Sequence, residues 1–197
     1  DQPRSRGLGD VYKRQSRYGS VVTSAFEIAS TDGMNEKGLV ANLLWLPETE
    51  YPVRDKNKPG LAITAWVQYM LDNFATVDEA VAFIDENTFQ VVSDLMPDGS
   101  RLATLHLSIS DATGDCAIFE YTGGKLTVYH SKEYKVMTNS PTYNKQLALN
   151  EYWKSIGGLS FLPGTNRPSD RFARASFYIN APVSYTHLRA HETEADL

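Results

Sequence analysis

The chain has 197 residues, of which 42% are hydrophobic and 22% are charged, and its formal net charge is -5 at pH 7. These values fit one soluble globular domain or a large part of one. The basic residues are scattered, which argues against a nucleic-acid partner, and no apolar run approaches the roughly 20 residues that cross a bilayer. A single cysteine, Cys116, excludes an internal disulfide and a thiolate metal cluster.

Both ends of the chain lose hydrophobic periodicity, at Ser5 to Gln15 and at Val183 to Thr193. The first segment can be written as a DNA string whose reverse complement, read from its third base, encodes VSYTHLRAHE and starts a codon compatible with threonine. We therefore interpret residues 1–15 and 182–197 as translated sequencing-adapter tails and expect the natural domain in residues 16–181. No signal-peptide pattern is present, so a periplasmic, secreted or cytoplasmic location all remain open.

The first predicted elements are strands. Gly19 to Ile28 is rich in β-branched and aromatic residues and predicts a strand, followed by a turn at Ser30 to Gly33. Gly38 to Leu46 is an almost continuous apolar run that Pro47 stops, and it predicts a buried central strand.

Two helices are predicted next. Leu61 to Phe74 carries apolar residues at helical spacing, which predicts a helix with one buried face. Thr76 and Glu79 have the spacing of a capping box and predict the start of a second helix that runs to about Glu86.

An antiparallel meander and two more helices complete the chain. The predicted strands are Thr104 to Ser110, Cys116 to Tyr121, Lys125 to His130 and Lys135 to Thr138. The predicted helices are Pro141 to Lys154, ended by Gly157 and Gly158, and Ser169 to about Asn180, with Ser169 as its N-cap. Strands on both sides of helical pairs predict stacked helix and sheet layers.

Composition and spacing alone identify no catalytic site in residues 16–181. His106 and His130 lie in strand patterns without a carboxylate at meaningful spacing, which favours structural roles. Cys116 follows a turn at the start of a strand, which favours a buried core residue, and the neighbouring Asp115 disfavours a thiolate. His187 and His191 have metal-ligand spacing but belong to the excluded tail.

Five short motifs in one order carry more information. They are Asp32-Gly33-Met34-Asn35-Glu36-Lys37-Gly38-Leu39, Leu44-Trp45-Leu46-Pro47, Val136-Met137-Thr138-Asn139-Ser140-Pro141, Leu162-Pro163-Gly164-Thr165 and Ser169-Asp170-Arg171-Phe172. Together they resemble the choloylglycine hydrolase and penicillin V acylase family, in particular its Gram-negative gut-bacterial branch. The resemblance covers essentially all of residues 16–181.

The resemblance implies an α+β fold, the four-layer αββα sandwich of N-terminal-nucleophile hydrolases, here truncated at both ends. It also implies an N-terminal cysteine that acts as nucleophile while its own α-amino group serves as general base. An α-amino group has an unperturbed pKa near 8 and can accept the thiol proton at neutral pH. This cysteine, and the Arg and Asp that follow it in the family, are expected upstream of Ser16.

Three residues of this chain match functional positions of the family. Asn139 matches the asparagine whose side-chain amide helps to hold the oxyanion, although an asparagine before Pro141 also suits a turn. Arg171 matches a second active-site arginine that favours the thiolate, the alternative being a helix surface charge paired with Asp170. Trp45 is expected in the substrate pocket wall, with core packing as the alternative.

The implied activity is hydrolysis of a linear amide C–N bond in a small molecule. Conjugated bile salt is the leading substrate, and penicillin V or an N-acyl-homoserine lactone is the alternative within the family. A non-catalytic homologue that binds a ligand is the alternative from a different class. No cofactor and no metal are implied, neither nucleic acid nor a membrane is an expected partner, and the full-length parent is expected to form a homo-oligomer.

Overall fold

The computed structural model of the protein describes residues 16–85, 89–156 and 161–180. The two tails that we interpret as adapter sequence, and the predicted helix end at Gly157 and Gly158, lie outside the described residues. The chain divides after Thr142 into two compact units. No helix of the described ranges combines the length and hydropathy needed to cross a membrane.

Eight strands and four α-helices are formed in these ranges. The strands are β1 (Ser20–Ala25), β2 (Ala29–Asn35), β3 (Val40–Trp45), β4 (Gly60–Ala62), β5 (Gln90–Val92), β6 (Leu105–Ser110), β7 (Cys116–Thr122) and β8 (Lys125–His130). The helices are α1 (Trp66–Asn73), α2 (Val77–Asp85), α3 (Tyr143–Ile156) and α4 (Pro168–Asn180).

The first unit is one helix layer on one antiparallel sheet. The sheet has six strands in the order β1-β2-β3-β6-β7-β8, and β4 and β5 form a separate parallel pair. Apolar side chains of β3, β6 and β7 form one core with those of α1 and α2. The ring of Trp66 contacts Phe119 and Tyr121, with centroids 6.4 Å and 6.1 Å apart. These are one α layer and one β layer of the predicted αββα arrangement.

The apolar face predicted for the first helix is confirmed, but its start is wrong. Trp66, Val67, Met70 and Leu71 are all buried. Each such side chain contributes roughly 1.5–3 kcal/mol through removal from water. The helix begins only at Trp66, because residues 60–62 form β4 beside β5 and residues 63–65 form a 3-10 turn. The parallel pairing of β4 overrides the local helical periodicity.

The start of α2 confirms the predicted capping box, with one difference. The Glu79 backbone N–H donates to Thr76 Oγ1 over 3.2 Å. Glu79 Oε2 accepts from the backbone N–H of Ala75 at 2.8 Å rather than from that of Thr76. The N–H of Val77 is satisfied by Asp111 Oδ2 at 2.9 Å. Asp111 follows β6, so this bond joins the helix to the sheet. The predicted end at Glu86 lies outside the described residues.

The predicted turn at Ser30 to Gly33 is wrong, because those residues form the middle of β2. The chain reverses instead at Phe26 and Glu27, which have φ of 54° and 62°. Gly33 does not form a turn; it lies in β2, where the neighbouring atoms leave no space for a side chain. A Cβ there would lie 2.7 Å from both Leu71 Cδ1 and the Val21 carbonyl oxygen. The sheet and α1 therefore approach each other at a residue without a side chain.

Two further predictions need correction. Lys135 to Thr138 is irregular and pairs with no described strand, and a strand forms only where a neighbour takes its hydrogen bonds. Ser169 is not the N-cap of α4, since the backbone N–H of Arg171 donates to the Arg167 carbonyl at 3.0 Å. That bond makes Arg167 the N-cap and Pro168 the first helical residue, the position where proline is favoured.

Asn35 connects the turn between β2 and β3 to the end of α1. Its Nδ2 donates to the carbonyls of Leu71 and Phe74 over 2.9 Å and 2.8 Å. Its Oδ1 accepts from the backbone N–H groups of Lys37 and Leu39 over 3.1 Å and 3.0 Å. Asn35 is 4% exposed, and its bonds to Leu71, Phe74 and Leu39 satisfy backbone groups where water is excluded.

Replacing Asn35 by alanine is expected to lower the free energy of unfolding by about 3 kcal/mol, because four backbone groups, three of them in buried bonds, lose their partner. Urea unfolding followed by circular dichroism measures this value. Asn73→Ala is the matched control, since the Asn73 amide makes one bond, to the Tyr69 carbonyl of its own helix. Equal losses in the two variants would contradict the role assigned to Asn35.

Candidate active site

The candidate site includes the C-terminal end of β3, where Trp45 lies. This central strand pairs with β2 on one side and β6 on the other, and Trp45 is its last residue, opposite Leu105. The backbone N–H of Leu46 donates to Thr104 and continues the ladder for one more bond. Because the side chains of a strand alternate between faces, Trp45 lies on the same face as the buried Ala41 and Leu43. The indole is half-buried at the edge of the core.

Trp45 lines a cavity of about 160 Å³ in the first unit. Apolar side chains make up most of the wall, and they are Ala25, Phe26, Ile28, Ala29, Leu43, Trp45, Ile63, Leu95, Met96, Pro97, Ala103 and Leu105. They come from the β1–β2 hairpin, β3, the 3-10 turn before α1, β6 and the segment of residues 94–103. A cavity with this lining receives an apolar group.

Asn139 lies in the irregular segment between β8 and α3. It is half-buried and directly precedes the cis peptide bond between Ser140 and Pro141. Ser140 Oγ donates to Glu48 Oε1 over 2.6 Å. Glu48 follows Trp45 by three residues, so this bond holds the segment of Asn139 beside the loop that leaves β3.

Glu48 is a residue that the sequence analysis missed. Its second carboxylate oxygen, Oε2, is buried and has no hydrogen-bond partner among the described residues. No spacing rule links it to Ser140, which is 92 positions away in sequence. Only the folded chain shows that Glu48 supports the segment of Asn139.

Arg171 belongs to the second unit, in the first turns of α4. Arg171 is exposed, whereas the neighbouring Phe172 is buried. Asp170, the partner considered for Arg171, accepts from Thr165 Oγ1 at 2.5 Å. Arg174 donates to the carbonyls of Pro163 and Thr165 over 2.6 Å and 2.7 Å. Arg174 thus holds the loop before α4.

The structure therefore places the predicted residues in two groups. Trp45 and Asn139 belong to the first unit, where the bond between Glu48 and Ser140 joins their segments. Arg171 belongs to the second unit. Its part in a common site is a proposal that rests on the family resemblance.

His106 and His130, the histidines within the described residues, both have carboxylate neighbours, which their sequence spacing did not indicate. Nδ1 of His106 lies 2.8 Å from Glu120 Oε1, and both side chains are 0% exposed. His106 and Glu120 lie on adjacent antiparallel strands, β6 and β7. Because such pairs form between strands, sequence spacing could not reveal this one.

His130, Asp115 and Asp78 offer donor atoms that lie within 4.8 Å of one another, a spacing that could hold a metal ion. His130 Nε2 lies 2.7 Å from Asp115 Oδ2 and 3.5 Å from Asp78 Oδ1. Asp78 is 82% exposed and lies in the first turn of α2, where the helix dipole favours anions over cations. We therefore assign the three residues to joining α2 to the end of the sheet.

Cys116 is buried at the start of β7, as predicted. It is 8% exposed, and its Sγ lies 3.7 Å from the Gly114 carbonyl. Burial raises the pKa of the thiol, and the charges of Asp115 and Asp111 raise it further. A thiol in this environment is a poor nucleophile, because the thiolate is the reactive form.

The Cys116 thiol is expected to react with a disulfide reagent at pH 8 about a hundredfold more slowly in the folded chain than in urea. The released chromophore gives both rates. Because the pKa is higher in the folded state, stability should also fall as pH rises through the thiol pKa of the unfolded chain. Rapid reaction of the folded chain would contradict the burial of Cys116.

Comparison with known proteins agrees with the motifs. Residues 9–190 match the family described as linear amide C–N hydrolases, choloylglycine hydrolase family. The chain is 55% identical over 184 residues to penicillin V acylase from Pectobacterium atrosepticum. This match covers 89% of this chain and 49% of that protein.

Solved structures show the same fold. Penicillin V acylase from Agrobacterium tumefaciens is similar with a TM-score of 0.77 and 58% identity, over 84% of this chain and 50% of that one. A variant of conjugated bile acid hydrolase from Clostridium perfringens has a TM-score of 0.71 and 29% identity, over 86% of this chain and 58% of that one.

The chain thus spans about half the length of the two penicillin V acylases. The resemblance inferred from five motifs is confirmed, and so is the α+β fold with its antiparallel sheet. The chain belongs to the choloylglycine hydrolase family of linear amide C–N hydrolases.

Proposed function

We propose that residues 16–181 are part of a longer amidase that removes an aromatic acyl group of the penicillin V type from an amine. The observation that carries the proposal is the apolar cavity of about 160 Å³ beside Trp45. An apolar cavity of about 150 Å³ accommodates one benzene ring, so this one suits a single aromatic ring. The four fused rings of a bile salt need a larger space.

Sequence identity supports the same substrate class. The two penicillin V acylases are 55% and 58% identical to this chain, against 29% for the conjugated bile acid hydrolase. Conjugated bile salt, the leading substrate in the sequence analysis, is therefore the second candidate. The structural similarity to the bile acid hydrolase is what keeps it as a candidate.

The proposed nucleophile is the N-terminal cysteine of the family, outside residues 16–181. Cys116 does not suit this role, since it is buried and its pKa is raised. In the proposed reaction the α-amino group takes the thiol proton and sulfur attacks the amide carbonyl carbon. The C–N bond then breaks, and the leaving amine receives the proton. Water hydrolyses the thioester and regenerates the thiol, which releases the acid.

Asn139 is proposed as the donor to the carbonyl oxygen while it carries negative charge. A neutral N–H donor in a dry site stabilises that charge without prior reorganisation. The bond between Ser140 and Glu48 limits movement of the segment and so supports a defined position for the amide. Arg171 is proposed to favour the thiolate and to orient the substrate.

The full-length gene product is expected to hydrolyse penicillin V with a kcat/KM about tenfold or more above that for a glycine-conjugated bile salt, because the apolar cavity suits one aromatic ring better than four fused rings. Release of 6-aminopenicillanic acid and of glycine measures the two rates. An N-acyl-homoserine lactone tests the remaining family alternative in parallel.

Faster hydrolysis of the bile salt would restore the second candidate. N-terminal sequencing of the same product provides the test of mechanism. If the mature chain does not begin with cysteine and no amide is hydrolysed, the non-catalytic binding homologue replaces the amidase.

Asn139→Ala is expected to lower kcat for penicillin V by about 10² to 10³, with a smaller change in KM, because the oxyanion loses one donor. Steady-state kinetics of the full-length enzyme measure both constants. Asn57→Ala, in an exposed loop, is the matched control. A loss of thermal stability without a loss of kcat would show instead that Asn139 serves only the turn before Pro141.

A further inference from the structure

Arg101 stacks on the tryptophan that lines the proposed acyl cavity. The guanidinium carbon lies 4.0 Å from the centre of the Trp45 ring. Arg101 is exposed and is not itself part of the cavity wall. Its contact with the cavity therefore passes through the indole.

The backbone around Arg101 gives this contact a defined geometry. Residues 94–103 fold back on themselves, with Leu95 and Leu102 bridged and the Ala103 N–H donating to the Asp94 carbonyl at 2.9 Å. The Arg101 carbonyl accepts from the backbone N–H of Met96 over 2.8 Å. Met96 lines the cavity, so Arg101 is held beside the wall that it supports.

Among the described residues, no ion pair competes with the contact between the Arg101 guanidinium and the indole. The ion pairs found within 4.0 Å among residues 16–85, 89–156 and 161–180 do not include Arg101. The pKa of Asp98 is lowered mainly by a hydrogen bond from the Ser100 side chain. The charge of Arg101 makes the smallest contribution to that lowering. A planar guanidinium over an indole face is a favourable arrangement, since dispersion and the ring quadrupole both attract it.

Trp45 needs such a support because of its position. It is the last residue of β3, and the chain turns away at Pro47, so no further β3 residue restrains the ring on that side. The ring is half-buried, with one part against the cavity. An indole that changes rotamer there would alter the shape of the cavity.

We propose that Arg101 is a positioning residue that determines acyl-group specificity: its guanidinium holds the Trp45 indole in the orientation that shapes the cavity for a single aromatic ring. This inference rests on the proposed function, in which the cavity receives the acyl group. Arg101 contacts neither the acyl group nor the reacting atoms. Its loss therefore acts on substrate binding and selectivity rather than on the chemical step.

The test uses the full-length enzyme with penicillin V and with a penicillin that carries a linear aliphatic acyl chain. Arg101→Gln is expected to raise KM for penicillin V about twofold to fivefold, the effect of one exposed cation–π contact, with kcat nearly unchanged. KM for the aliphatic substrate should change less, because a flexible chain adapts to a displaced wall. Arg101→Lys retains the positive charge over the ring, so KM for penicillin V should rise less in this variant than in Arg101→Gln.

Two comparisons make the test specific. Arg17→Gln removes a charge from another exposed arginine of the first unit and should leave KM unchanged. In a Trp45→Ala background, Arg101→Gln should have no further effect, because the two side chains act together. Thermal unfolding of each variant verifies that the fold is retained.

The outcomes separate this inference from the proposed function. If Trp45→Ala leaves KM for penicillin V unchanged, the acyl cavity is wrongly assigned and the proposed function fails with it. If Trp45→Ala raises KM but Arg101→Gln behaves like Arg17→Gln, only the role of Arg101 is overturned. The role of Arg101 is also overturned if Arg101→Gln raises KM as much in the Trp45→Ala background as it does when Trp45 is present.

Discussion

The amide of Asn35 is the interaction on which the layered arrangement of the first unit depends. A helix end and a strand turn each leave backbone groups without partners, and burying either one is costly. Asn35 satisfies two carbonyls at the end of α1 and two N–H groups after β2. Gly33, two residues earlier, leaves room for Leu71. Two residues of the first family motif, Gly33 and Asn35, therefore join the helix to the sheet.

The candidate site is built where that sheet ends. The central strand β3 carries Trp45 to the edge of the core, and the loop that follows presents Glu48 to Ser140. The Glu48–Ser140 bond connects residues that are 92 positions apart in sequence, and Trp45 lines an apolar cavity beside β3. The site thus combines the end of a strand with irregular segments: the Glu48 bond joins two of these segments, and Arg101 stacks on Trp45 at the strand end.

Polar pairs in the first unit also join separate elements of the chain. His106 Nδ1 lies 2.8 Å from Glu120 Oε1 across two strands, with both side chains 0% exposed, and Asp111 caps α2 from the sheet. Each pair removes the cost of a buried polar group only when both elements are in place. The pairs therefore favour one register and one helix position over alternatives of equal apolar burial.

The sequence by itself determined the family, the three strands β6, β7 and β8 of the predicted four-stranded meander, the buried face of α1 and the capping box of α2, because these follow from local periodicity, turn chemistry and five ordered motifs. It did not predict β2, whose Thr31-Asp32-Gly33 looks like a turn until β1 and β3 pair with it on either side. Trp45, Asn139 and Arg171 match functional positions of the family by resemblance alone. Only the tertiary structure showed the cavity beside Trp45, the Glu48 bond and the stacked Arg101. Such contacts depend on distances between segments that no short-range pattern encodes.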